Sequence, residues 1–252
     1  MEKINSRSNP ICVHIKKLGK SKRYRDEQGV FLCDGIKLLD EALKSGVEIE
    51  TVLFAREADY SLPPETRVYH VQESLIDSLS PLQSPQGVLF TCGMREVNVP
   101  DFSKGTHFLL DSIQDPGNVG TIIRCAHAFG VDSLILTEAS ADIYNPKTIR
   151  ASMGAIFKQS IMYLDKEKIC KLKESGVRFL GASNDSDSVN IKQVILNDSI
   201  IILGNEGQGI SDGFKKLCSQ MMKIPVSSDC ESINVAAAAS IIMWEASQKC
   251  HH

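Results

Sequence analysis

Metal-ligand spacing is missing from this sequence. Its eight cysteines, Cys12, Cys33, Cys92, Cys125, Cys170, Cys218, Cys230 and Cys250, form no C-x-x-C pair, and there is no H-E-x-x-H run or Cys/His cluster. That leaves no basis for a bound metal. Scattered through apolar or helical surroundings, the cysteines read as reduced thiols, small buried hydrophobes of a cytosolic protein. No apolar stretch reaches the roughly 20 residues of a membrane helix. The opening MEKINSRSNP lacks the apolar core of a secretory signal. A basic balance is absent too: the formal net charge is −3, so overall charge does not argue for nucleic acid. The closing His251-His252 reads as a tag remnant and is set aside.

What is present is ordinary globular composition, 42% hydrophobic and 23% charged over 252 residues, enough for one large domain or two small ones. Charge is unevenly spread. Residues 1–25 carry Lys3, Arg7, Lys16, Lys17, Lys20, Lys22, Arg23 and Arg25 against the single acid Glu2. This is either a solvated, mobile terminus or a phosphate-contacting patch.

Periodicity divides the chain. Residues 1–93 read as a small α/β domain. It has an amphipathic helix over Asp34–Ser45 with Ile36, Leu39 and Leu43 on one face and Gly46 ending it. Strands are expected at Glu50–Ala55, Arg67–Val71 and Gly87–Thr91, and a short helix at Glu73–Leu79. Residues 94–105 turn polar and irregular, as a linker does. Residues 106–252 alternate apolar strands (His107–Asp111, Ser133–Thr137, Val177–Ala182, Ser199–Leu203, Met221–Ile224) with helices (Asn118–Phe129, Lys166–Glu174, Ser211–Cys218, Ser232–Gln248). Fully apolar strands between helices predict a parallel sheet covered on both faces, doubly wound and unknotted by the usual connection rules. Ligands of such sheets bind beyond the C-terminal strand ends.

Three loops follow those ends. In DSIQDPGNVGTIIRCAHAFG, Asp115-Pro116-Gly117 is a turn signal and Asn118 an expected helix N-cap. Val119, Ile122, Ile123 and Ala126 share the sheet-facing side, while Arg124, one turn beyond Gly120, has its guanidinium open to a ligand. GNEGQG carries Gly204, Gly207 and Gly209, which admit close backbone approach. Its spacing is not the dinucleotide fingerprint, and Glu206 at its centre would repel a pyrophosphate but suits a cation or an arginine. In IPVSSDCESINVAAAAS, Ser228, Asp229 or Ser232 is placed to cap the last helix, and Ala236–Ala239 permit close packing. A fourth segment, NPKTIRASMGA, with Lys147 and Arg150, reads as a basic loop.

Together these segments resemble the SpoU/TrmH family of RNA ribose methyltransferases, of the SPOUT superfamily. DPGNVGTIIRCAHAFG, ILGNEGQGIS and IPVSSDCESINVAAAASIIMWE match its three motifs in order and spacing, with Ile233 where the family usually has leucine. The resemblance implies a C-terminal α/β domain with a mostly parallel sheet and a deep trefoil knot, preceded by a small α/β domain that binds RNA. It implies S-adenosylmethionine held by Leu203, Gly204, Ile224, Pro225, Ile233 and Ala236. It implies a catalytic group of Asn118, Arg124, Glu206 and Asn234, with His127 a bystander, and no metal. Structured RNA, ribosomal more than transfer RNA, would be contacted by Lys20, Lys22, Arg23, Arg25, Arg150 and Ser232. A cytoplasmic homodimer through the knotted domain goes with it. The family casts the arginine as general base; a permanently protonated guanidinium is better suited to stabilising the developing alkoxide. A catalytically silent RNA-binding protein and a nucleotide-dependent oxidoreductase or ligase are the competing readings. The first is opposed by the intact Asn118, Arg124, Glu206 and Asn234, the second by the glycine spacing.

Overall fold

The computed structural model describes residues 2–56, 60–227, 229–230 and 232–249; Ser228, Cys250 and His251-His252 lie outside them. Two compact units emerge, one of residues 1–96 with 142–158 and one of residues 97–141 with 159–252.

In the first unit the basic N-terminal stretch is folded. It forms β1 (Glu2–Ile4), α1 (Pro10–Lys20) and α2 (Lys22–Gln28). Asn9 accepts the Ile11 amide at 2.9 Å and Pro10 opens α1, so the start is capped. Cys12, Ile15 and Leu18 bury one stripe of α1, and its lysines fall on the others. The unit continues as β2 (Val30–Asp34), α3 (Ile36–Ser45), β3 (Ile49–Phe54), β4 (Arg67–Val71), α4 (Glu73–Leu79) and β5 (Val88–Gly93). The strands form one mixed sheet in the order β1-β4-β3-β5-β2. Helix α3 buries Leu38, Leu39 and Ala42 rather than the Ile36/Leu39/Leu43 stripe expected, a rotation of its apolar face by part of a turn; Gly46 ends it in a left-handed conformation as expected.

The second unit is a seven-stranded sheet. It starts with β6 (Thr106–Leu110), α5 (Pro116–Ala128) and β7 (Ser133–Leu136). The chain then contributes α6 (Pro146–Ser152) to the first unit. It resumes in the second unit with β8 (Ile161–Tyr163), α7 (Lys166–Glu174), β9 (Phe179–Ala182), β10 (Val189–Asn190), β11 (Ser199–Leu203), the short α8 (Asp212–Lys215), β12 (Gln220–Lys223) and α9 (Val235–Lys249). Every pairing in the order β10-β12-β9-β11-β6-β7-β8 is parallel. Leu109, Ile200 and Ile202 belong to a core with Phe179, Ile169 and Phe214. Alternation turns Phe108, Leu110 and Ile201 to the opposite face, where they are equally buried. Burial on both faces explains why these strands read as continuous apolar runs. Among the described residues no helix is long and apolar enough to cross a membrane.

The expected division at residues 94–105 is therefore crossed once. NPKTIRASMGA is not a loop: Asn145 caps α6 through the Lys147 amide, and the segment packs within the first unit. Tyr144 stacks on Phe31 with centroids 4.5 Å apart, and the Arg95 guanidinium donates to the Phe157 carbonyl.

The same segment corrects the reading of Arg25. Its side chain is 4% exposed and donates to Asp142, itself 11% exposed, at 2.5 Å, and to the Leu18 carbonyl at 2.5 Å. A guanidinium enclosed in this way cannot reach an RNA phosphate; charge counting along the sequence registers the residue but not the direction of its side chain. Arg25→Met leaves Asp142 buried without its counter-charge, which costs about 3–5 kcal/mol. The denaturant midpoint should fall accordingly, with cofactor affinity unchanged. An unchanged midpoint with weakened RNA binding would restore the phosphate role.

Candidate active site

Because the second sheet is wholly parallel, the loops after β6, β11 and β12 open on the same side of it. Backbone and side-chain bonds fasten them together. Buried Asp111, just past β6, accepts the Ser211 amide at 2.8 Å from the β11 side. Asn205 donates to the Ser112 carbonyl at 2.9 Å, while its Oδ1 accepts the amides of Gly207 and Gln208. Asn205 and Gly209 close the glycine loop by exchanging backbone bonds of 3.0 and 2.8 Å. At Gly204 only glycine fits: a Cβ would stand 2.1 Å from the Gly209 carbonyl carbon and the Ile210 nitrogen.

Helix α5 starts earlier than expected. Asp115, not Asn118, is the N-cap; it accepts the Asn118 amide at 2.8 Å, and Pro116 occupies the first turn. Relieved of capping, the Asn118 side chain joins the other two loops. Its Nδ2 donates to Glu206 Oε1 at 2.8 Å, and its Oδ1 accepts from Asn234 Nδ2 at 3.0 Å. Asn234 in turn caps α9, accepting the amides of Ala236 and Ala237 at 2.8 and 3.3 Å. The cap is thus Asn234 rather than Asp229 or Ser232; the Asp229 carboxylate accepts the Ser227 hydroxyl instead. Three of the four expected catalytic residues form one chain. The fourth, Arg124, is exposed further along α5, with no hydrogen bond or ion pair among the described residues; His127 is exposed as well.

Beside this chain lies a cavity of about 520 Å³. Leu203, Gly204, Ile224 and Ile233 line it, as do Glu206, Ser232 and Asn234. Pro225 is exposed and Ala236 is buried in α9, and neither is part of the lining. Ser232, expected at the RNA, falls with the cavity. Sequence reasoning missed Ile210, Ile242 and Asp185 on its walls. Asp185 carried no motif signal; the Ser183 hydroxyl and Lys215 hold its carboxyl below the usual range. It also missed Asp111 and Asn205 as fasteners, although the Asn in GNEGQG was visible as a turn former. The volume suits a small-molecule ligand. Apolar side chains such as Leu203, Ile210, Ile224, Ile233 and Ile242, with the Glu206 and Asp185 carboxylates and Lys215 and Lys223 on the same lining, accommodate a polar yet partly apolar ligand such as S-adenosylmethionine.

Of the other expected RNA contacts, Lys20, Lys22 and Arg23 are exposed on α1 and α2, with Lys22 paired to Asp26 and Arg23 to Glu27, each at 2.7 Å. Arg150 is exposed on α6.

Residues 105–244 match the model of the SpoU rRNA Methylase family. The chain belongs to that family. Residues 9–89 match an MRM3-like substrate binding domain. Among SpoU relatives, the Bacillus subtilis 23S rRNA (guanosine(2553)-2′-O)-methyltransferase RlmP is 30% identical over 97% of this chain and 98% of its own length. The 23S rRNA (uridine(2479)-2′-O)-methyltransferase of Streptomyces viridochromogenes is 26% identical over 88% of this chain and 84% of its own. An AdoMet-bound rRNA methyltransferase structure from Sinorhizobium meliloti superposes with a TM-score of 0.86 at 27% identity, covering 98% of both chains. The SPOUT α/β fold expected from the motifs is the fold found.

Proposed function

We propose that this SpoU family member transfers the methyl group of S-adenosylmethionine to a ribose 2′-hydroxyl of large-subunit ribosomal RNA. The observation that carries this reading is the Asn234–Asn118–Glu206 chain running along the edge of the cofactor cavity. The full-length relatives named for 23S rRNA support ribosomal over transfer RNA.

Leu203, Gly204, Ile224 and Ile233 would hold the cofactor, which supplies when bound an electrophilic methyl carbon on a sulfonium. The remaining work is positional and electrostatic. The unpaired Arg124 guanidinium donates to the 2′-oxygen as it becomes anionic, or to the adjacent phosphate; being always protonated, it is not the base. Asn118 occupies one carboxylate oxygen of Glu206 and leaves the other for the hydroxyl proton or for Arg124. Asn234 holds Asn118 in the orientation that makes this bond. Lys20, Lys22 and Arg23 supply phosphate contacts on the first unit.

The reading includes a deep trefoil knot at the C-terminal end, consistent with the crowding of Gly204 against Gly209–Ile210 and checked by a crystallographic chain trace. It includes a cytoplasmic site of action, supported by the free thiols among the described cysteines and refuted by fractionation of the protein to a membrane or exterior. It also includes a homodimer. Trp244 and Ile241 are 50% and 40% exposed on α9, an apolar pair that a second copy would cover. Sedimentation should give about twice the 27.7 kDa chain mass, and a monomer at micromolar concentration would remove that part of the proposal.

Incubation with methyl-labelled S-adenosylmethionine and separate pools of unmodified ribosomal and transfer RNA should yield a labelled 2′-O-methyl nucleoside from the ribosomal pool. A base-methylated nucleoside would overturn the reaction, and label confined to transfer RNA would overturn the substrate. In the same assay Arg124→Lys should lose two or more orders of magnitude in turnover, ~3 kcal/mol. Full activity would rule out any role that needs the planar guanidinium.

A further inference from the structure

The first unit contains a second cavity, of about 480 Å³, that the methyl-transfer chemistry does not use. We infer that it binds one unpaired nucleotide of the substrate RNA, with its base edge on Asp34 and its phosphate at Lys37 and Arg150. The inference rests on the RNA-substrate reading and assigns this nucleotide as a recognition anchor, distinct from the methyl acceptor bound in the second unit.

Asp34 is the last residue of β2 and is partly buried. Its Oδ2 accepts the Ser80 hydroxyl at 2.5 Å and its Oδ1 the Gln86 amide at 3.3 Å. A carboxylate has about four acceptor sites, so each oxygen retains one for a ligand. Burial raises the Asp34 carboxyl above its ordinary range, opposed by the Ser80 hydroxyl, the Gln86 amide and the nearby Arg150 charge.

Around Asp34 the other charges sort into engaged and open groups. Glu41 is held by Lys158 at 2.7 Å and by Lys44 at 3.2 Å. Burial and the nearby Asp40 carboxylate raise the Tyr60 hydroxyl above its ordinary pKa. Lys37 and Arg150 also line the cavity, yet neither has a hydrogen bond or ion pair among the described residues. Leu38, Leu82 and Met153 add apolar surface to the lining, beside Ser84 and Gln86. Met153 is 55% exposed and sits at φ 50°, a left-handed conformation that methionine rarely adopts.

A carboxylate with acceptor sites to spare, two cations without partners among the described residues and apolar side chains in one cavity suit a ligand that combines hydrogen-bond donors, an anion and a flat body. A nucleotide has all three. Inorganic phosphate would satisfy the cations but be repelled by Asp34. Among the bases, guanine presents two adjacent donors, N1–H and the 2-amino group, to a single carboxylate. Adenine and cytosine present one amino group, and uracil a lone imide N–H. A thioether against an aromatic ring is a favourable contact for any of them. The expected order is therefore guanine first and uracil last.

Met153 supplies the probe. The full chain carrying ¹³C-methyl methionine, with the Met153 signal assigned through Met153→Leu, is titrated with GMP, CMP, AMP, UMP and inorganic phosphate. GMP should move the Met153 signal saturably and bind at least tenfold more tightly than UMP. Asp34→Asn should abolish that preference. Lys37→Ala with Arg150→Ala, both exposed positions, should weaken all the nucleotides together. The inference fails if no nucleotide moves the signal, if phosphate alone moves it equally, or if the double variant binds GMP as well as the parent. The titration uses neither cofactor nor turnover, so its failure leaves the methyl-transfer reading standing. Saturable GMP binding in a chain that methylates no RNA would overturn only the latter.

Discussion

The hydrogen-bonded chain from Asn234 through Asn118 to Glu206 is the interaction on which the candidate active site depends. Its members stand in the first turn of α5, in the glycine loop and at the cap of α9, each beyond a different strand of the parallel sheet. A hydrogen bond between neutral groups contributes about 1 kcal/mol, and one to a charged group about 1.5–3 kcal/mol. Two such bonds are a small part of the stability of a 252-residue protein. Their importance is geometric. They tie the start of α5, which carries Arg124, to the glycine loop and to the start of α9, which border the cavity. Asp111–Ser211 and Asn205–Ser112 brace the same loops from below. The close fit of Gly204 against Gly209 and Ile210 then leaves the glycine loop no alternative path.

This arrangement explains the division of labour among the site residues. A side chain that must bind a developing charge has to be open, and Arg124 is open. A side chain that must define a position has to be fully engaged, and Asn118 is engaged at both its donor and its acceptor. The same distinction applies in the first unit. Arg25 is enclosed by Asp142 and the Leu18 carbonyl and holds the α6 segment in place, whereas Lys37 and Arg150, on the lining of the first unit's cavity, are exposed.

Much of this was legible in the sequence where local pattern and tertiary burial agree. The strands Ser199–Leu203 and Arg67–Val71 and the helices Glu73–Leu79 and Lys166–Glu174 fall where periodicity placed them, because each is apolar on the faces it buries. The motifs identified the three loops because parallel sheets open at one end. Elsewhere, several residues competed for one local role. Asp115 and Asn118 are both good caps, and Pro116 between them favours the earlier start; the displaced Asn118 was then free for the site. Asp229, Ser232 and Asn234 compete in the same way at α9. In α1 the stripe Cys12, Ile15 and Leu18 does carry a helical period, but charge counting along residues 1–25 attends to the interleaved lysines and not to that stripe. That residues 142–158 pack with the first unit is a long-range fact, visible only once Tyr144 is on Phe31 and Asp142 on Arg25.

The most direct test of the central chain is a double-mutant cycle of Asn118→Ala and Asn234→Ala, read as kcat/KM on large-subunit ribosomal RNA with cofactor affinity measured alongside. If the two asparagines act through one connected chain, each single variant loses roughly tenfold or more. The double variant is then no worse than the poorer single, within about 0.5 kcal/mol. Losses that simply multiply would show the two residues acting independently, and would contradict the account of a site held together by their contact.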